Sequence, residues 1–113
     1  MRRGEVWVAN LNLTRGAEVG KIRPVIIVQA DWLSDQSSPT ILVIPLSSQA
    51  RPDLEPLRVT LRARDRLKQD CQVVTEKVRA LDRSRFGTGP LTLATEEEMM
   101  LIEQRLRAVL GML

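Results

Sequence analysis

The chain has 113 residues, 43% hydrophobic and 27% charged, which fits one soluble globular domain over 1–113 and leaves no stretch with the length and apolarity of a membrane helix. Its net charge of +3 permits a polyanionic partner without requiring one. There is no histidine and one cysteine, so histidine-based acid–base catalysis and a Ser-His-Asp triad are excluded, and structural zinc lacks a ligand set. No metal or cofactor is expected.

The opening Met-Arg-Arg-Gly-Glu has no apolar signal core behind its charges, which points to a cytoplasmic protein. The lone Cys71 cannot form an internal disulfide and reads as a small buried hydrophobe, with no histidine to activate it.

In chain order, Arg3 to Leu11 reads as a strand with both faces partly covered, because Val6 and Val8 alternate with Glu5, Trp7 and Ala9. Trp7 is offered either to a nucleic-acid base or, more simply, to the core. Residues 12–21 form a polar, glycine-punctuated loop. It runs into the β-branched Val25 to Val28, so Arg23 to Gln29 reads as a second, buried strand. Glu18, Lys21 and Arg23 therefore stand where a loop enters a rigid strand, and Pro24 biases Arg23 toward an extended backbone.

Ala30 to Pro39 reads as a connection, with Trp32 either a plug over the barrel or an interface anchor. Thr40 to Ser48 is a third strand interrupted at Pro45. Ser47, Ser48 and Gln49 place hydroxyl and amide groups at its end. Gln49 to Pro56 is a second exposed loop. Leu57 to Ala63 alternates cleanly, with Arg58, Thr60 and Arg62 on the polar face. Arg64 to Lys68 reads as a solvated turn.

Cys71 to Glu76 is a further strand, which Lys77 to Leu81 either continues or bends away from. Asp82 to Arg85 suits a helical turn, Gly87, Gly89 and Pro90 a break, and Leu91 to Leu93 a last short strand. Thr95 with Glu98 makes a capping box. The stripe Met99, Ile102, Leu106, Val109 and Leu110 then defines a helix that Gly111 stops. Met99, Met100 and Met112 read as packing residues. About five short strands and one C-terminal helix point to a small antiparallel barrel or tightly bent sheet.

Several pieces, in order over nearly the whole chain, resemble the MazF/PemK (Kid) toxins of bacterial toxin–antitoxin pairs. They are Arg3-Gly-Glu-Val-Trp, Gly16-Ala-Glu with Arg23-Pro-Val-Ile-Ile-Val, Val43-Ile-Pro-Leu-Ser-Ser, Lys77-Val-Arg-Ala-Leu-Asp and the acid-capped helix ending Val109-Leu-Gly. The resemblance implies an SH3-like antiparallel β-barrel with a C-terminal helix. It implies a homodimeric, sequence-specific endoribonuclease acting on single-stranded mRNA and inhibited by a cognate antitoxin, whose extended tail occupies the RNA groove.

Arg23 falls on the family's catalytic arginine, Glu18 on the acidic residue of the preceding loop, and Ser47 on a position that is threonine in well-known members. Ala17, Val74 and Glu76 depart from the histidine, arginine and aspartate of Kid-type members, and Lys77 replaces a glutamine, so the chain looks closer to the MazF branch. Lys21, Ser48, Gln49, Arg51, Glu76, Lys77 and Arg79 are the candidate RNA contacts.

In the implied reaction the RNA's own 2′-hydroxyl attacks the adjacent phosphate, without metal. Arg23 suits the phosphorane charge. Ser47 suits a phosphate oxygen, unless its hydroxyl is only bonded to backbone. Glu18 suits the 2′-hydroxyl proton or the positioning of Arg23. The alternatives are a gyrase-poisoning toxin of the same fold and a plain RNA-binding barrel.

Overall fold

The computed structural model describes residues 1–12 and 21–112. Among them are seven strands: β1 (Glu5–Asn10), β2 (Ile22–Ile27), β3 (Thr40–Ser47), β4 (Val59–Leu61), β5 (Cys71–Val73), β6 (Arg79–Asp82) and β7 (Thr92–Leu93). Helix α1 is the single turn Asp31–Ser34, and α2 runs Glu96–Val109. The strands are antiparallel in the order β4-β5-β3-β2-β1-β7, with β6 also paired to β3. The architecture is the bent antiparallel sheet with a C-terminal helix that the sequence indicates.

Val25, Ile26 and Ile27 are fully buried because β2 separates two cores. Ile26 joins Val6, Ile44, Leu46, Leu61, Val73 and the α2 residues Met99 and Ile102 in the larger cluster. Val25 and Ile27 face the other way, onto Ala9, Leu11, Ile41, Val43 and Leu81. A side-chain period of two on a strand covered on both sides gives a continuous apolar run. Each such side chain contributes roughly 1.5–3 kcal/mol on burial. Trp7 packs at the edge of this second core and donates from Nε1 to Glu5 at 3.0 Å. A Cβ on Gly89 would meet its indole at 2.2 Å, so only glycine lets the chain cross that ring. Trp7 is a packing residue.

Pro45 does not interrupt β3. Val74 N–H donates to the Pro45 carbonyl, so that residue's backbone groups point toward the β5 and β6 side. There β6 pairs with residues 40–43 and β5 with 46–47. The missing N–H falls in the gap between the two partners, where no ladder bond is due.

Other expectations are corrected. The connection after β2 contains α1, held by Arg83, which donates to the carbonyls of Ser34 and Ser38. Trp32, on α1, is 65% exposed and plugs nothing. The strand expected over Leu57 to Ala63 is only Val59–Leu61, because a 3-10 turn, Pro52–Leu57, precedes it. The strand expected over Cys71 to Glu76 ends at Val73. A 3-10 turn at Thr75–Lys77 redirects it from β5 to β6 along the same edge of β3.

The Arg64 to Lys68 turn is more than solvated. Leu67 is buried, and Arg64 grips Glu98 at 2.6 and 2.9 Å. Glu98 also completes the expected capping box with Thr95, so one carboxylate ties the start of α2 to this turn. Burial acts to raise the Glu98 pKa. The Arg64 and Thr95 hydrogen bonds outweigh it and hold the group below the ordinary carboxylate range. In α2, Met99 and Ile102 are buried, whereas Met100 and, beyond the helix, Met112 are exposed and do not pack. Gly111, at φ 72°, ends the helix as expected. Among the described residues no helix is long and apolar enough to cross a membrane.

Candidate active site

Residues directly opposite in neighbouring strands send their side chains to the same face. Ala9 of β1 faces Arg23 of β2. The β2–β3 register pairs Val25 with Pro45; continued by two residues it sets Arg23 opposite Ser47. Ser47 faces Gln72 of β5, and Gln72 faces Thr60 of β4. One row of four polar side chains, Arg23, Ser47, Gln72 and Thr60, therefore crosses β2, β3, β5 and β4. The next row along the sheet, Trp7, Val25 and Pro45, includes Val25 of the second core, so the polar row begins where that core ends.

Ser47, Gln72 and Thr60 line an open pocket of about 280 Å³. Ser48, Glu55 and Asp70 are also on its wall. The Ser47 hydroxyl accepts from the Gln49 N–H at 3.2 Å, which fixes the oxygen and leaves its own O–H able to donate. Gln72 is 6% exposed, and its Oε1 accepts from the Arg51 N–H at 3.0 Å and from Arg58 Nη1 at 3.4 Å.

Arg58 is the main charged group that sequence reasoning missed. Its side chain is 8% exposed, and it donates from Nη2 to Glu76 at 2.8 Å. Burial pushes the Glu76 pKa up. The Arg58 hydrogen bond, its own backbone N–H and the Arg58 and Lys77 charges pull harder, so it ends below the ordinary range. The pair is single-pointed: Arg58 Nε and Glu76 Oε1 are buried without a hydrogen-bond partner among the described residues.

Of the residues read from the sequence, Arg23 and Ser47 share one row when the β2–β3 register is continued, and Ser47 and Ser48 share the pocket. Glu18 and Ala17 lie outside the described residues. Lys21 is exposed just before β2, at φ 70°. Gln49 and Arg51 are exposed, and the Arg51 guanidinium clasps Asp53 at 3.0 and 3.1 Å. Glu76 belongs to Arg58, and Lys77 follows it in the turn. Arg79 is on the row's face but opposite Val43, four residues from Ser47, roughly 13 Å along β3 at ~3.3 Å per residue.

Cys71 is buried. Burial and Asp70 push its thiol pKa up, against a downward pull from the Arg23 charge, so it is no nucleophile. Gln72 and Thr60 escaped notice because only register puts them beside Arg23. The alternation of Leu57 to Ala63 had already put Thr60 and Arg58 on a polar face. Among the described residues no three His, Cys, Asp or Glu side chains group as a metal site would require.

A bent sheet with a C-terminal helix and a polar row of Arg, Ser, Gln and Thr at its open end defines a class that comparison with known proteins makes specific. Residues 2–110 match the family described as PemK-like, MazF-like toxin of type II toxin–antitoxin system, and the chain belongs to that family. A relative from Staphylococcus saprophyticus, named Endoribonuclease MazF, is 31% identical over 99% of this chain and 92% of its own. The crystal structure of MazF from Deinococcus radiodurans superposes with a TM-score of 0.83 at 24% identity, covering 99% of this chain and 97% of that one. An endoribonuclease in complex with its cognate antitoxin, from a mycobacterial species, gives 0.78 at 20% identity, covering 100% and 97%. At those identities the two structures establish the fold.

Proposed function

We propose that this toxin-family chain is, like its staphylococcal relative, an endoribonuclease: a homodimeric, sequence-specific enzyme of the cytoplasm that cuts single-stranded mRNA without a metal ion. The observation that carries the reading is the β2–β3 register, which continued from Val25–Pro45 sets Arg23 opposite Ser47, itself on the wall of an open pocket.

The 2′-oxygen of the substrate attacks the adjacent phosphorus, its proton passing to a base. The bond to the 5′-oxygen breaks, that oxygen takes a proton, and the products are a 2′,3′-cyclic phosphate and a 5′-hydroxyl. Arg23 meets the phosphorane charge with paired N–H donors held ready on a strand, a role that needs no loss of its own proton. Ser47 donates its O–H to a phosphate oxygen, while the Gln49 N–H holds its oxygen in place. Glu18 takes the 2′-hydroxyl proton or orients Arg23.

Lys21, Ser48, Gln49, Lys77 and Arg79 line the path of the flanking RNA, with Arg51 joining once it leaves Asp53. Growth arrest by this activity is relieved by a cognate antitoxin that covers the same face. Arg23→Ala should lose on the order of 10²–10³ in cleavage rate with the fold retained. The assay incubates purified protein with RNA and looks for cyclic-phosphate ends. A variant cutting at the wild-type rate removes Arg23 from the reaction. RNA left intact by the wild type while gyrase is trapped on DNA selects the gyrase-poisoning reading, and RNA bound but never cut selects the plain binding barrel.

A further inference from the structure

We infer that Gln72 reads one base of the RNA, its NH₂ donating to an acceptor on the edge of that base. The inference rests on the ribonuclease reading above and adds to it a residue for specificity. Its starting point is the orientation of one amide. Both groups against Gln72 Oε1, the Arg51 backbone N–H and the Arg58 guanidinium, can only donate. Rotating the amide by half a turn would set its NH₂ against two donors, so the assignment of oxygen and nitrogen is forced. With the carbonyl end engaged, the NH₂ is the end left for the pocket that Gln72 lines.

Several features make this a built recognition element. Gln72 is 6% exposed, so its backbone and stem are fixed by packing. Register puts it immediately beside Ser47, so a base in the pocket adjoins a phosphate held by Ser47 and Arg23. Arg58 is itself anchored by Glu76. The pocket volume, about 280 Å³ and open to one side, admits a flat base entering edge first.

The pocket wall also carries Glu55, an exposed carboxylate that can only accept. Arg62 and Asp70 line the same pocket, so it offers donors and acceptors alike, and the Gln72 NH₂ is the donor whose orientation is forced.

The test uses RNA oligonucleotides that differ at single positions around a mapped cut, offered to wild type, Gln72→Glu and Glu55→Gln. Each oligonucleotide is also made with 2′-deoxyribose at the cut linkage, so that binding is read without cleavage. In Gln72→Glu the inward oxygen still accepts from Arg58 and the Arg51 N–H, while the outward group turns from donor to acceptor. At one position the wild type should favour one base by about tenfold or more, a usual penalty for one mismatched base. Gln72→Glu should abolish or invert that preference, and Glu55→Gln should weaken it at the same position. The base favoured there is the one that Gln72 reads.

An unchanged pattern in a folded Gln72→Glu overturns the inference and leaves the ribonuclease reading standing. If Gln72→Glu fails to fold, the exposed Glu55→Gln decides, and an unchanged pattern there overturns it too. A wild type that binds the deoxy-substituted set with a base preference that Gln72→Glu changes, but cuts no RNA, overturns the ribonuclease reading and keeps this one. Neither binding nor cutting overturns both.

Discussion

Replacing Arg58 with alanine removes the hydrogen bond to Glu76 and one of the two that hold Gln72 Oε1, and leaves Glu76 with the Lys77 charge but no ion-pair partner of its own in a three-quarters buried site. Breaking a fully buried pair from one side costs about 3–5 kcal/mol. This pair is single-pointed and Glu76 is 25% exposed, so the expected loss is about 2–3 kcal/mol at neutral pH, or on the order of 10 °C in Tm. The pH dependence is the sharper signature. The Glu76 pKa in the folded protein is depressed, so the stability it contributes is present above the unfolded value of about 4.3 and is lost as pH falls through the folded value. In Arg58→Ala burial acts without its main opponent and shifts the group upward, so protonation relieves the variant. The gap in stability between wild type and variant should therefore narrow as pH is lowered from about 7 toward 4. Urea unfolding at fixed protein concentration measures it. A gap that stays constant over that range would show that the Arg58 effect is packing alone and refute the electrostatic account.

Thr95→Ala removes the side-chain acceptor of the capping box and should cost about 1 kcal/mol in thermal unfolding, without altering cleavage in a folded sample. The Cys71 thiol, buried and with its pKa pushed up, should resist alkylation near neutral pH until denaturant is added; prompt reaction in buffer contradicts its burial. Cleavage should persist in excess chelator, and strict dependence on added magnesium overturns the metal-free reaction. Arg79→Gln should weaken RNA binding for all sequences alike and lower the slope of log affinity against log salt by about one, whereas an unchanged slope makes Arg79 a solvated charge.

What the sequence made legible follows from local physics. The Val25 to Val28 run and the Thr95–Glu98 box are each written in a few adjacent residues; the box appears where expected, and the run is buried in β2 as far as Ile27, with Val28 beyond the strand. Pro45 was misleading because its tolerance depends on which strand lies beside it, and two strands share that edge of β3. Arg58 was assigned only to a polar face, because alternation assigns a face but not what stands on it. Its partner Glu76 is eighteen residues on, beyond a hairpin whose register no local pattern fixes. Met100 and Met112 were misjudged for the opposite reason, since an apolar side chain near the stripe need not point into it. In the candidate site, Arg23 and Ser47 stood out as charges and hydroxyls at strand ends, but Gln72 and Thr60 became neighbours only through pairing.

The fork in β3 has a mechanical side. Beyond Pro45 the strand holds the β4–β5 hairpin through only the pairs Leu46–Val73 and Ser47–Gln72, while its earlier half is clamped between β2 and β6. Arg23 therefore rides on the arm clamped by sheet partners, whereas Gln72, Thr60 and Arg58 ride on a hairpin whose Val59, Leu61 and Val73 pack with Met99 and Ile102 of α2. The two sets of side chains are joined through one strand at a residue whose ring restricts its bend. Proline there acts as a gauge, setting how far Arg23 stands from Gln72.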